Sequence, residues 1–403
     1  SRQANPLTPL NLISDQALKS AALFGEAYWR ATDTLKATLG LRYTNDLKQQ
    51  ITYPIVMLAP GRGFPDIPAQ RVRFQEITGR FTLDWQPEIA FTNSSLFYAS
   101  ASRGYKGGGF NPGGGALSGV ATTFKPEFVN ALELGTKNTL LDRRLTLNLT
   151  GFYYQYKGYQ VAKLVNQTVA NENIDADIKG LEFEAIYEPV RNLRFNTSVG
   201  YLDSKIKNGS SIDVLNRTQG DPALAAVRSI DAGSFASNCV LPVAVLAGVQ
   251  SAINGGLAPS AALGSLCTGA FASTFASPGV PVDLHGKKLP AAPHWTVSVG
   301  GEFTMHFGDD WTGTARADYF HQSSSYTRVY NTLADKIKSY DNLNLSYRIS
   351  SEDKGIDIMF YLRSLLSTQA IVSAQLSDDS AGPTRLVSGK EPVTYGLAVT
   401  KRF

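Results

Sequence analysis

The chain has 403 residues, 43% of them hydrophobic and 18% charged, with a formal net charge of +4. No stretch approaches the roughly 18 uninterrupted apolar residues of a helical membrane span, which excludes that architecture and leaves strand-built spans open. Lys and Arg are scattered among Asp and Glu without the basic stripe a nucleic-acid partner requires, and 18 Tyr with 20 Phe against 3 Met suit strands better than a helical enzyme core.

Apolar residues recur at every second position, the period of a strand with one buried and one wet face. The pattern predicts thirteen strands, over residues 18–30, 35–53, 72–85, 94–105, 127–138, 144–163, 173–187, 193–206, 292–306, 312–327, 337–349, 356–367 and 392–403. In the second, Leu35, Ala37, Leu39, Leu41 and Tyr43 oppose Lys36, Thr38, Gly40, Arg42 and Thr44. In the sixth, Leu145, Leu147, Leu149 and Tyr153 oppose Thr146, Asn148 and Thr150. In the ninth, Trp295, Val297, Val299, Phe303 and Met305 oppose Thr296, Ser298, Glu302 and Thr304. The last strand sets Val393, Tyr395, Leu397, Val399 and Phe403 on one face, interrupted by Lys401.

The polar faces carry Arg42, Glu76, Arg80, Asp84, Glu133, Glu302, Arg316 and Asp318. A soluble sandwich turns such residues out to water and a membrane barrel turns them in to a wet lumen, so periodicity alone does not decide. Loop lengths do. Short connections at 31–34, 86–93, 140–143, 188–192, 307–311 and 350–355 alternate with long ones at 54–71, 106–126, 207–291, 328–336 and 368–391, with one modest turn at 165–171. Tight turns on one side and long excursions on the other are the signature of an outer-membrane barrel. Trp29, Tyr43, Trp85, Tyr153, Tyr187, Tyr201 and Trp295 stand near strand ends, where an interfacial girdle belongs. The expected fold class is all-β, a transmembrane antiparallel β-barrel.

Orientation follows from the end of the chain. If the last strand follows a long outer loop, Phe403 lies on the short-turn side, and counting back makes the first strand descend from outside. Single-chain bacterial barrels have an even strand number with both ends in the periplasm. Thirteen strands with an outward start therefore read as the C-terminal part of a larger barrel.

Few residues carry recognisable chemistry. Lys106-Gly-Gly-Gly-Phe-Asn-Pro-Gly-Gly-Gly115 lacks the Gly-Lys-Ser/Thr ending of a phosphate loop and reads as an outer loop. His285, His294, His306 and His321 have no shared ligand spacing, and no catalytic or metal site emerges. The segment 208–290 is the best place to seek specificity, because loops this long are functional or unstructured. Within it, Cys239 and Cys267 most simply bridge each other in an oxidising compartment; two buried thiols are the alternative. A short helix pinned between them is expected. This loop and the 106–126 loop are expected at the outer mouth, with Tyr105, Lys106, Phe110 and Asn111 as candidate ligand-facing residues.

Several phrases together resemble the TonB-dependent outer-membrane receptors. They are Ser102-Arg-Gly-Tyr-Lys-Gly-Gly-Gly-Phe-Asn111, Lys125-Pro-Glu-Phe-Val-Asn-Ala-Leu-Glu-Leu-Gly-Thr-Lys137, the tyrosine-rich strand from Leu145 to Val161, Ile178-Lys-Gly-Leu-Glu-Phe-Glu184, Leu289-Pro-Ala-Ala-Pro-His-Trp295 and Tyr395-Gly-Leu-Ala-Val-Thr-Lys-Arg-Phe403. The resemblance spans residues 1–403 as one barrel region, with 208–290 as a loop insertion. It implies a barrel of about 22 strands around an N-terminal plug, in which the first strand here is the tenth and descends. It further implies active uptake of a scarce nutrient, an iron chelate, cobalamin or a glycan, across the outer membrane of a Gram-negative bacterium. Implied partners are outer-membrane lipid, the TonB complex through a plug not contained in these residues, a small-molecule or oligosaccharide ligand, and the barrel-assembly machinery, which would engage Phe403. Neither a cofactor nor an enzymatic activity is implied. A passive porin and an outer-membrane scaffold or adhesin are the alternatives.

Overall fold

The computed structural model describes residues 10–56, 67–111, 120–165, 168–229, 237–267, 269–308, 310–377 and 384–402. Thirteen strands form one antiparallel sheet in strict chain order. They are β1 (Leu10–Arg30), β2 (Leu35–Val56), β3 (Ile67–Trp85), β4 (Thr92–Lys106), β5 (Glu127–Leu140), β6 (Leu145–Val165), β7 (Thr168–Val190), β8 (Leu193–Asn208), β9 (Trp295–Phe307), β10 (Trp311–Gln322), β11 (Tyr340–Ser351), β12 (Ile356–Arg363) and β13 (Thr394–Lys401). Each corresponds to one expected from the alternation, and the fold class is as the sequence indicates.

The differences lie at strand ends. β1 begins at Leu10 rather than near residue 18, because its ladder with β2 continues to Leu10↔Val56. β12 stops at Arg363 although apolar residues continue through Leu366, since Ser364 (φ 60°) and Ser367 (φ 49°) adopt left-handed backbone, which interrupts regular pairing. β10 stops at Gln322, and Ser325–Tyr326 pair instead with Lys336–Ile337 inside the following loop.

Register sorts the two faces. Leu134, Gly151, Leu181, Tyr201 and Trp295 form one cross-strand row on the outer face. Leu39, Leu41, Ile77, Leu132, Leu149, Val299, Phe303, Phe360 and Leu397 join them, all exposed. An exposed apolar wall of this extent belongs against lipid rather than water. The inner face carries ion pairs, among them Arg80–Glu26 at 2.5 Å, Lys36–Asp84 at 3.4 Å and Arg316–Asp318 at 2.6 Å. Tyr98 shows why a glycine is needed in the fifth strand. Its ring lies flat across β5 at Gly135, where a Cβ would approach within 2.6 Å, so that its hydroxyl reaches Thr150 Oγ1 on β6 at 2.8 Å.

At about 3.3 Å per residue, the 21-residue β6 is longer than an apolar band of about 25 Å requires even when tilted. The strands therefore stand proud of the lipid on the long-loop side. The loop between β8 and β9 has its own organisation. Ser210–Ile212 pair with Pro281–Asp283, and Leu224–Ser229 pair with Ser237–Pro242. Helix α1 (Val243–Asn254) starts directly after Pro242 and stops at Gly255-Gly256, the latter at φ 75°. A short helix α2 (Gly269–Phe275) follows. Cys239 and Cys267 are disulfide-bonded, Cα to Cα 5.6 Å, and sit with Leu241 and Leu266 in a small apolar core against Val227, Leu246 and Val249.

Candidate functional site at the outer mouth

A single glycine sets up the site. Along β6, odd-numbered residues face outward as far as Tyr153, but the ladder with β7 slips one residue between Tyr156 and Tyr159. Gly158 occupies the bulge at φ 67°, its N–H donating to Asp175 Oδ1 at 2.9 Å and its carbonyl accepting from Asn173 Nδ2 at 2.7 Å. An extra residue in one strand inverts the facing of everything beyond it. Above Gly158 the odd residues Tyr159, Val161, Lys163 and Val165 therefore turn inward, opposite Ile174, Glu172 and Ala170.

These inward residues meet three loops. A cavity of about 300 Å³ lies between the upper ends of β6 and β7, the β8–β9 loop at Ser211 and Val214, the β10–β11 loop at Thr327–Tyr330, and the β12–β13 loop at Ala374–Ser377. Lys163 Nζ lies 2.5 Å from Glu172 Oε1 and donates to Ser211 Oγ at 3.0 Å. Ser211 in turn donates to Glu172 Oε2 at 2.5 Å. The Tyr330 hydroxyl stands 2.8 Å from Ser211 Oγ and donates to the Ile212 carbonyl at 2.7 Å. Beyond Gly158 these groups lie outside the apolar band. Burial pushes the Lys163 ammonium below its ordinary value, with Glu172 opposing the shift. Burial likewise raises the Tyr330 phenol well above its usual value.

One guanidinium fixes the loops around the cavity. Arg328 Nε donates to Asp335 Oδ1 at 2.6 Å and Nη1 to Asp213 Oδ1 at 2.7 Å, with the charge stacked 4.9 Å from the Tyr330 ring. Asp335 is fully buried and also accepts from the Thr332 N–H and hydroxyl. The backbones are laced as well. Lys288 N donates to Asn331 Oδ1 at 2.7 Å, and Asn331 Nδ2 returns to the Lys288 carbonyl at 3.1 Å. Below, Ile174, Ala176, Ile206, Leu284, Leu289 and Val329 close the floor as an apolar cluster. The arrangement offers a small, part-apolar chamber with a fixed ammonium, carboxylate and two hydroxyls. It has the features of a recognition pocket, and among the described residues no cluster of His, Cys, Asp and Glu is placed to hold a metal ion.

The residues singled out from sequence fall near this mouth in different roles. Tyr105 fills the cleft where β4 parts from β3, donating to Asp46 Oδ2 at 3.2 Å with its ring 5.7 Å from Phe128. Lys106 extends into solvent and pairs with Glu127 at 3.8 Å. Phe110 sits in a short ladder with Thr123. Asn111 is buried, its amide donating to the Ala121 and Asn171 carbonyls and accepting from Asn171 N–H, so it clamps its loop to β7. Phe403 lies outside the described residues. Sequence reasoning missed Lys163, Glu172, Ser211, Arg328 and Tyr330. One signal was present: in Phe152-Tyr-Tyr-Gln-Tyr-Lys-Gly-Tyr-Gln-Val161 the aromatic positions change parity across Gly158.

A family model described as TonB dependent receptor-like, β-barrel, matches residues 1–363. Solved structures share the fold at low identity. The ferric yersiniabactin uptake receptor FyuA from Yersinia pestis superposes with a TM-score of 0.66 at 15% identity, over 97% of this chain and 46% of that one. The siderophore receptor PiuA from Acinetobacter baumannii gives 0.60 at 18%, over 96% and 43%. The ferric-catecholate import receptor Fiu from Escherichia coli K12, in its closed form, gives 0.59 at 13%, over 96% and 45%. The chain thus spans less than half the length of these three structures.

Proposed function

We propose, from the premise that this chain belongs to the TonB-dependent receptor family, that it is the barrel region of an outer-membrane receptor that actively imports a scarce nutrient in a Gram-negative bacterium. The family is one of transport receptors rather than enzymes. The observation that carries the reading is a division of labour across one wall. An apolar exterior suited to lipid encloses a polar interior, and the long loops of one side converge on a chamber at Lys163, Glu172, Ser211 and Tyr330. A pore for passive diffusion gains nothing from such a chamber.

The cargo we infer is a metal chelate of small-molecule size. Two features support this: the chamber presents ammonium, carboxylate and phenol groups within a few ångströms, and the three solved structures above are described as receptors for ferric chelates or siderophores. Energy would come from the TonB complex acting through a plug, the lipid partner would be the outer membrane, and Phe403 would serve barrel assembly.

The test uses the full-length receptor in cells supplied with radiolabelled ferric chelates. Uptake that stops when a protonophore collapses the inner-membrane gradient supports active transport; uptake that continues unchanged refutes it. Deleting residues 210–285 should weaken chelate binding at the surface, and unchanged affinity would remove the outer-mouth assignment.

A further inference from the structure

The strands on the long-loop side do not end together. β3 is paired with β2 from Trp85 as far as Ile67, but with β4 only from Trp85 to Gly79, which lies opposite Arg103. Beyond Arg103, β4 stays with β5 and leans inward, so that the Tyr105 hydroxyl reaches Asp46 Oδ2 on the luminal face of β2. From Ile67 to Thr78, β3 therefore has an edge on which, among the described residues, no strand is laid and no backbone group is bonded. Alternate residues of an antiparallel strand turn their N–H and C=O to opposite sides. The edge thus presents a row of open donors and acceptors, the surface that takes up a further strand.

The edge is open outward and closed behind. Lys48 Nζ donates to the Gly108 carbonyl at 2.6 Å, and Gly108 lies so near Phe74 that a Cβ there would stand 3.0 Å from the ring. β6 outlasts β5 in the same way above Lys157, but there the Glu127 carboxylate accepts the Gln160 N–H at 2.8 Å and caps the edge. At the foot of the β3 edge a groove of about 520 Å³ runs between Ile77 and Gly79 on one side and Arg103 and Asn130 on the other. Side chains select what can lie there. Arg71 and Arg73 share the outward parity of Ile77 and are exposed. Across the groove, Arg103 is held by Asn130 Oδ1 at 2.9 Å and by the Phe128 ring at 4.4 Å. Val72 and Phe74 turn to the inner face. A strand added about 4.8 Å from β3 would set one row of its side chains among guanidinium groups and the other row against apolar ones.

We propose that the upper edge of β3 docks an extended peptide segment of a partner protein as an added strand, acidic at one parity and apolar at the other. Opposite charges directly across two strands stabilise the pair and like charges oppose it. That rule gives the sign of the outward row, and Val72 and Phe74 give the character of the inward one. It also disfavours a second copy of this chain, because a self-paired edge would bring the Arg71 and Arg73 of one copy against those of the other. The docking is independent of the imported cargo. Its access from outside the cell rests on the outer-membrane placement proposed above.

The test uses the full-length receptor in detergent and a fluorescent octapeptide of alternating Glu and Val, read by anisotropy and by hydrogen exchange. The peptide should bind saturably and slow amide exchange across 69–78 at least fivefold, with β9 to β11 unchanged. An octapeptide of alternating Lys and Val should bind at least tenfold more weakly, and the double variant Arg71→Glu, Arg73→Glu should reverse that preference. N-methylating either the Glu amides or the Val amides should cost at least tenfold in one of the two cases, because alternate N–H groups lie on opposite edges of the peptide. Equal binding of the lysine peptide, an unchanged preference in the double variant, binding without protection at 69–78, or tolerance of both methylations would each overturn the proposal. Self-association that protects 69–78 without peptide would overturn it in favour of a second copy. Should the double variant fail to assemble, as heat-modifiable migration would show, Arg73→Gln alone should narrow the preference between the two peptides, and an unaltered preference would overturn the proposal. Chelate uptake by cells reports the transport reading separately.

Discussion

Arg328 Nη1 lies 2.7 Å from Asp213 Oδ1, joining two loops whose contacting residues are 115 positions apart in the chain. The same guanidinium holds the fully buried Asp335, so one cation neutralises two carboxylates that have little other solvation. Removing one member of a buried charge cluster leaves the rest uncompensated, at a cost of about 3–5 kcal/mol. Arg328→Ala should therefore loosen the mouth without dissolving the barrel. Hydrogen exchange would show faster exchange at 211–215 and 326–336 with heat-modifiable migration retained. Arg328→Lys should rescue little, because an ammonium lacks the planar fork that spans both acids.

Within the wall, Gly135 exists to admit Tyr98. Gly135→Val places methyl groups where the ring lies and should cost about 1–3 kcal/mol by overpacking. Adding Tyr98→Ala should recover part of that loss, a coupling that thermal unfolding of the four members of a double-mutant cycle would read. Independent, additive losses would show that the ring and the glycine do not share the space.

The disulfide between Cys239 and Cys267 closes a loop of 28 residues, for which chain entropy gives about 3–4 kcal/mol. Its effect should be confined to the excursion that carries α1 and α2. Replacing both cysteines by serine should raise exchange across 224–275 and increase proteolytic nicking there, while strands β1 to β13 keep their protection. A lowered barrel melting temperature would contradict that confinement.

Tyr330 gives a pH signature. Burial raises its phenol above the ordinary 10.0, so the folded mouth keeps the proton that an unfolded loop would release. A group raised in this way contributes stability that is complete below pH 10 and falls as pH climbs towards the folded value. The phenolate difference spectrum between wild type and Tyr330→Phe should accordingly be silent at pH 10, and local exchange at the mouth should accelerate above it. An ordinary phenolate titration would show Tyr330 to be open to water.

Strand number, order and facing were legible because lipid imposes a strict demand on every second residue, as in Leu145, Leu147 and Leu149 or Trp295, Val297 and Val299. The mouth was not legible for the same reason in reverse. Lys163 and Glu172 come together only through a register slip, and Arg328 finds Asp213 through a fold in which no local period applies. The apolar run to Leu366 misled the end of β12, since alternation says nothing about the backbone angles at Ser364 and Ser367. Asn111, read as facing a ligand, spends its amide on backbone groups of its own loop and of β7.

Gly158 has a consequence for how such a wall can change. As far as Tyr153, an outward position on β6 that mutates to a charge meets hydrocarbon; above Gly158, the same odd numbering addresses the chamber. The two halves of a single strand are thereby released from each other, and the upper half can be rewritten for a new ligand without disturbing the register that keeps the lower half in lipid. Deleting that one residue would make the ladder regular, with Lys163 still opposite Ala170 and facing the chamber.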